Sequence, residues 1–158
     1  MPAGDDRDEV YMRMALREAE AALDHDDVPV GCVIVHEQRI IARGRNQREL
    51  VQDPTAHAEV LAITAAAAAL GSWRLHGCTL YVTLEPCCMC AGAAVLARID
   101  TIVFGASDPK GGACGGAINL LTSPAVHHRP ALRGGVLAEA CGGLLTAFFR
   151  ARRAAGEK

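Results

Sequence analysis

The chain contains no run of about 18 uninterrupted apolar residues, so no segment reads as a membrane span. Positive charge is not in surplus. Lys and Arg number 16 against 18 Asp and Glu, giving a net charge of −2 and a pI of about 6.3. Proteins that grip long nucleic acid are usually strongly basic, so any such footprint here is small and local. Met1 to Asp8 is acidic and lacks the basic-then-apolar layout of a signal peptide. Cysteines number seven, which is odd, and Cys87, Cys88 and Cys90 fall within four positions. That crowding argues against a disulfide framework and for metal ligation in a reducing compartment, the cytoplasm. No second C-x-x-C pair exists to complete a zinc ribbon with Cys87 and Cys90. The glycine-rich Gly111–Gly116 lacks the G-K-[ST] of a phosphate loop and reads as flexible chain near a site mouth.

With 51% apolar and 22% charged residues in 158 positions, the composition suits a single globular domain over 1–158. Asp8 to His25 is an amphipathic helix with Tyr11, Met14, Ala15, Ala19, Ala22 and Leu23 on one stripe. His25 reads as a solvated residue at its end. Val30–Val35 and Arg39–Gly44 form a hairpin across His36-Glu37-Gln38. Ala56–Leu70 is a second helix, stopped by Gly71. Trp73 is read as a packing residue, with an exposed stacking platform as the alternative. Cys78–Leu84 is a buried strand rich in β-branched residues, and Pro86 begins a helix that ends near Ala97. Thr101–Gly105 is another buried strand, Gly135-Val136-Leu137 begins a short fifth one, and a last helix carries Phe148-Phe149-Arg150 and Arg152-Arg153. His127 and His128 lie side by side in a Pro-bounded loop, either solvated or available to a phosphate. This order predicts an α/β fold, a three-layer α/β/α sandwich around one five-stranded mixed sheet.

The chemistry concentrates at two junctions. Cys87 and Cys90, three apart, share a helix face and can reach one metal ion. Upstream, Asp53-Pro54-Thr55-Ala56-His57-Ala58-Glu59 offers an imidazole and a carboxylate, with Thr55 or Asp53 as candidate caps for the helix. His57 and Glu59 are two apart, so they converge only in a first turn, with the helix aiming its N-terminus at the site. Three protein ligands leave one tetrahedral position of zinc open to water, the catalytic rather than the structural arrangement. Sites in such sheets lie beyond the carboxyl ends of the strands, where these two helices begin. Asn46 is either a turn residue or faces that site.

H-x-E followed by P-C-x-x-C is the signature of the zinc-dependent nucleobase deaminases. With Val28-Pro29-Val30-Gly31, Leu80–Cys87, Met89–Ala93, Phe104-Gly105-Ala106 with Asp108, and the Phe- and Arg-rich last helix, the chain resembles the bacterial tRNA-specific adenosine deaminases of the cytidine deaminase-like superfamily. The resemblance implies hydrolytic deamination of adenosine to inosine at the wobble position of a tRNA anticodon, most often an arginine tRNA. It implies one Zn²⁺ per chain, held by His57, Cys87 and Cys90, with a bound water or hydroxide as nucleophile and Glu59 as the proton shuttle. It further implies a homodimer that grips the anticodon stem-loop. Asn46 and Ala58 are expected at the flipped nucleoside, Asp108 near the ribose, and Phe149, Arg150, Arg152 and Arg153 near the loop. Gly111–Gly116 is richer in glycine than the family leads one to expect. A deaminase of free guanine- or cytosine-type bases or nucleosides is the alternative that keeps the same chemistry.

Overall fold

The computed structural model describes residues 4–156. Met1 to Ala3, within the acidic N-terminal stretch, and residues 157–158 lie outside them. Helix α1 (Gly4–Ala22) leads into a 3₁₀ turn (Leu23–His25), strands β1 (Gly31–His36) and β2 (Arg39–Arg45), and the single turn α2 (Arg48–Val51). Then come α3 (Ala58–Leu70), β3 (Cys78–Leu84), α4 (Cys88–Leu96), β4 (Thr101–Ala106), β5 (Ala131–Arg133) and α5 (Ala138–Ala154).

The strands form one sheet in the order β2-β1-β3-β4-β5. β1 is antiparallel to β2 and β3, whereas β3, β4 and β5 run parallel. Alternation along the strands fills two cores. Cys32, Ile34, Leu80, Val82, Ile102 and Phe104 pack with Ala58, Ala62 and Ala66 of α3 and Ala91 and Ala94 of α4. Val33, Val35, Tyr81 and Val103 pack with Met12 and Ala15 of α1 and Cys141 of α5. The chain is therefore a three-layer α/β/α sandwich with a five-stranded mixed sheet, the cytidine deaminase-like arrangement.

Close helix–sheet contact needs small residues on both sides. A Cβ at Gly31 would lie 2.0 Å from the Ala15 carbonyl of α1, and one at Gly44 would lie 2.2 Å from the Ala58 carbonyl of α3. The alanine run of α3 serves the same end through Ala62 and Ala66, while Ala65, Ala68 and Ala69 face outward. The hairpin between β1 and β2 turns on Glu37 and Gln38, both at positive φ (50° and 65°). That is the twist-matched I′ geometry, adopted here without glycine or asparagine.

Three local expectations are corrected. The fifth strand is Ala131–Arg133, which pairs with Thr101–Val103, and Gly135-Val136-Leu137 instead turns the chain into α5. The Ala131 N–H donates to the Asp100 carbonyl, so long-range pairing rather than local propensity sets this edge strand. Trp73 is 56% exposed, with the Arg74 guanidinium 4.2 Å from its ring centre. His25 is not solvated. Its Nε2 lies 3.1 Å from the Asn46 carbonyl oxygen and 3.4 Å from Asp27, itself buried. No helix among the described residues is long and apolar enough to cross a membrane.

Candidate active site

β3 and β4 end side by side, with Leu84 opposite Ala106. Beyond β3 the chain stays extended through Cys87 (φ −72°, ψ 176°), which is the N-cap of α4. Pro86 therefore precedes the cap instead of opening the helix. Its carbonyl, free of the helix, accepts the Ala113 N–H at 2.8 Å. Cys87 at the N-cap and Cys90 in the first turn project to the same side. His57 is likewise the N-cap of α3 (φ −79°, ψ 149°), and Glu59 follows two residues later in its first turn. The two helix N-termini thus bring their partial positive charge to one place, which favours thiolate and carboxylate there.

Neither Thr55 nor Asp53 caps α3. Asp53 instead accepts the Thr55 N–H and hydroxyl, both at 2.8 Å, in a local turn. The Ala58 N–H is taken by Asn46 Oδ1 at 2.9 Å, from twelve residues upstream. Asn46 is 6% exposed and lines the site, so it both caps the helix and faces the cavity. Ala58, expected at the nucleoside, is fully buried and is not among the residues that line the cavity.

His57, Cys87 and Cys90 offer donor atoms that lie within 4.8 Å of one another, the one such convergence among the described residues. His57 Nδ1 is 3.7 Å from Cys87 Sγ and 3.5 Å from Cys90 Sγ. Donors bound to one tetrahedral zinc at about 2.0 Å (nitrogen) and about 2.3 Å (sulfur) stand about 3.5 Å apart, so the set fits that ion. Its charge fits as well. Hydrogen bonds from Cys90 and His57 hold the Cys87 thiol down at about 3, while that neighbour and burial push Cys90 far up. The pair shares a proton unless a cation replaces it. Glu59 is not a member of the converging set. It is 5% exposed, and burial first, then the Cys87 charge, pushes its carboxyl up to about 7. A divalent cation held by the three donors would pull it back down.

His57, Cys87, Glu59 and Asn46 line a cavity of about 180 Å³ together with Val28, Val30, Arg48, Leu84, Glu85 and Phe149. Cys90 is buried and is not part of its wall. Phe149, Val28 and Leu84 border in addition a wider groove of about 830 Å³, which reaches Asp108, Lys110 and Arg153. Asp108 thus sits in the groove, and its Oδ1 accepts the Lys110 and Gly111 N–H groups at 3.0 and 3.1 Å. The basic end of α5 divides. Arg153 borders the groove, but Arg152 turns to the other flank, where it donates to the Asp26 carbonyl at 2.6 Å and stacks on Phe148 at 4.6 Å. Arg150 is exposed and borders neither cavity. His128 is held at 2.6 Å by the Ile99 carbonyl. Two wall residues, Arg48 and Glu85, were not among the expected site residues. Arg48 lies in no motif, and Glu85 falls within the Leu80–Cys87 stretch with no role of its own in the H-x-E and P-C-x-x-C pattern.

Sandwich and donor set together define a deaminase of the cytidine deaminase-like class, and the MafB19-like deaminase family model matches residues 6–153. A tRNA-specific adenosine deaminase of Bacillus subtilis (strain 168) is 54% identical over 147 residues, 93% of this chain and 91% of that protein. The chain belongs to the tRNA-specific adenosine deaminase family, whose members are hydrolytic enzymes. Among solved structures, one from work on A-to-I editing by tRNA:A34 deaminases at the wobble position superposes with a TM-score of 0.84 at 44% identity, covering 86% of this chain and 99% of that one. A guanine deaminase from Nitrosomonas europaea shares the fold alone, with a TM-score of 0.76 at 23% identity over 94% of this chain and 85% of its own.

Proposed function

We propose that the protein hydrolyses adenosine to inosine at the wobble position of a tRNA anticodon, with an arginine tRNA as substrate and one zinc ion per chain. The observation that carries this reading is the convergence of His57, Cys87 and Cys90 at the edge of a cavity lined by His57, Cys87 and Glu59, in a chain 54% identical to a tRNA-specific adenosine deaminase. When bound by the three donors, zinc supplies an activated water as nucleophile. The Glu59 carboxylate would take the water's proton and pass it to adenine N1 as the C6–O bond forms. It would then carry the second proton from the new hydroxyl to the amine, so that the C6–N bond breaks and ammonia leaves. Its burial without a place in the donor set suits a group that moves protons rather than one that holds metal. Asn46 Oδ1 is committed to Ala58, which leaves the Asn46 amide nitrogen to meet the base.

Residues 1–158 act as one domain in this reading. An anticodon-loop base is loosely stacked and enters a closed pocket at modest cost. The loop backbone then lies along the groove between Asp108, Lys110, Phe149 and Arg153, where a few local cations suffice despite the net charge of −2. A homodimer, with both subunits gripping the RNA, and a cytoplasmic location complete the proposal. Seven free thiols support the latter. The test is to treat an arginine tRNA transcript with the zinc-loaded enzyme, sequence it, and run guanine and cytidine in parallel. Guanosine read at the wobble position is expected. Ammonia release from guanine or cytidine with the tRNA unchanged would point to the free-base alternative.

A further inference from the structure

The carboxylate of Glu85 has no part in the chemistry above, yet it is 2% exposed and stands at the junction between β3 and Cys87. Its Oε1 accepts the Asp108 N–H at 3.0 Å. Its Oε2 accepts the Cys114 N–H at 2.9 Å and the Gly116 N–H at 2.8 Å. One buried side chain therefore gathers both ends of the 108–116 loop. Next to it, the Glu85 N–H donates to Ala106 and the Ala113 N–H donates to Pro86, each at 2.8 Å, so the backbone repeats the link. A carboxylate ringed by backbone N–H groups needs close approach, and the glycines provide it. A Cβ at Gly112 would lie 2.3 Å from the Glu85 carboxylate, and one at Gly116 would lie 2.5 Å from it. This accounts for Gly112 and Gly116, whereas Gly115 answers a backbone demand of its own, a φ of +117°. The segment that reads as flexible chain in the sequence is a shell fitted around one anion.

The consequence is mechanical. Glu85 adjoins the metal-ligand turn and lines the small cavity, while the loop it holds carries Asp108, Lys110 and Gly111 along the wide groove. We infer that Glu85 is a positioning residue that locks the groove loop to the metal-bearing β3–α4 turn, so that substrate bound along the groove presents its base in register with the cavity. The inference rests on the proposed tRNA activity for its functional consequence, though not for the clamp itself. Replacing Glu85 by glutamine keeps the shape but puts an amide N–H₂ against N–H donors, which cannot pair. The donors left unpaired then loosen the loop.

The test uses the zinc-loaded Glu85→Gln enzyme with an anticodon stem-loop as substrate. Zinc content should stay at one per chain. Amide hydrogen exchange in the peptide covering 107–118 should speed up ~10-fold, since the glutamine keeps one acceptor oxygen and its amide nitrogen forfeits one or two of the three bonds. KM should rise about 10-fold, with the larger share of the lost kcat/KM in KM. Gly116→Ala, which crowds the same carboxylate from the other side with Glu85 intact, should show the same pattern and covers the case in which Glu85→Gln fails to fold. Unchanged exchange in either folded variant overturns the clamp, as does a loss confined to kcat or to zinc. If the wild-type enzyme leaves the stem-loop unconverted, the substrate reading falls, and the exchange measurement still decides the clamp.

Discussion

The donor corner and the groove beside it are built on opposite plans. At the corner, His57, Glu59, Cys87 and Cys90 come from the first turns of two helices, and each side chain is aimed by local backbone geometry. Across Phe149, the groove draws on a loop, the end of β4 and one face of α5 from Gly142 to Arg153. Its shape depends on a carboxylate contributed from outside the loop. Chemistry needs few atoms at fixed separations, which short spacings on rigid elements supply. Recognition of a flexible RNA loop needs area and modest charge, spread over segments whose identities are individually replaceable.

Substitutions test that contrast, beginning with the most severe. Glu59→Ala should keep zinc and fold and lose about 10²- to 10⁴-fold or more in rate. Turnover within a factor of a few of wild type would exclude the proton-shuttle role. Cys87→Ser should lose the metal and activity with it, and metal analysis giving one zinc per chain would falsify the ligand assignment. Gly44→Ala forces a Cβ against the Ala58 backbone of α3 and should cost about 1–3 kcal/mol in urea unfolding, with activity falling because α3 carries His57 and Glu59. Wild-type stability there would mean that the helix can back away freely. Phe149→Ala belongs to the groove. Loss of one stacking face is worth about 1–3 kcal/mol, a rise in KM of about 5- to 100-fold at nearly constant zinc content. A purely kcat effect would place Phe149 in the chemistry instead. Cys88 lies between the ligands but is exposed, so Cys88→Ala should retain zinc and activity. Loss of metal in that variant would blur the line between the two regions.

The donor corner was the more legible region. An imidazole two residues before a carboxylate, and two thiols three apart after a proline, restrict where helices can start and which side chains can meet. The caps were less legible. Asp53 and Thr55 are good cap residues, yet Asn46 takes the Ala58 N–H because β2 delivers it there. His25 looked like a solvated end residue, but the fold sets it against the Asn46 carbonyl. Trp73 shows the reverse error: a large apolar ring is usually buried, and this one covers itself with Arg74 at the surface. β5 was misplaced by a few residues because an edge strand of three residues has almost no pattern of its own.

By itself, the sequence determined the alternation of strands and helices, the two faces of each strand, and the set of atoms able to hold a metal, because those depend on spacing along a chain of known period. Only the tertiary structure decided that Asn46 caps a helix it does not belong to, that His25 packs against the Asn46 carbonyl, and that Glu85 gathers a loop more than twenty residues downstream. Hydrogen bonds and packing across such distances carry no local signature. They exist only once the sheet has brought its strand ends together.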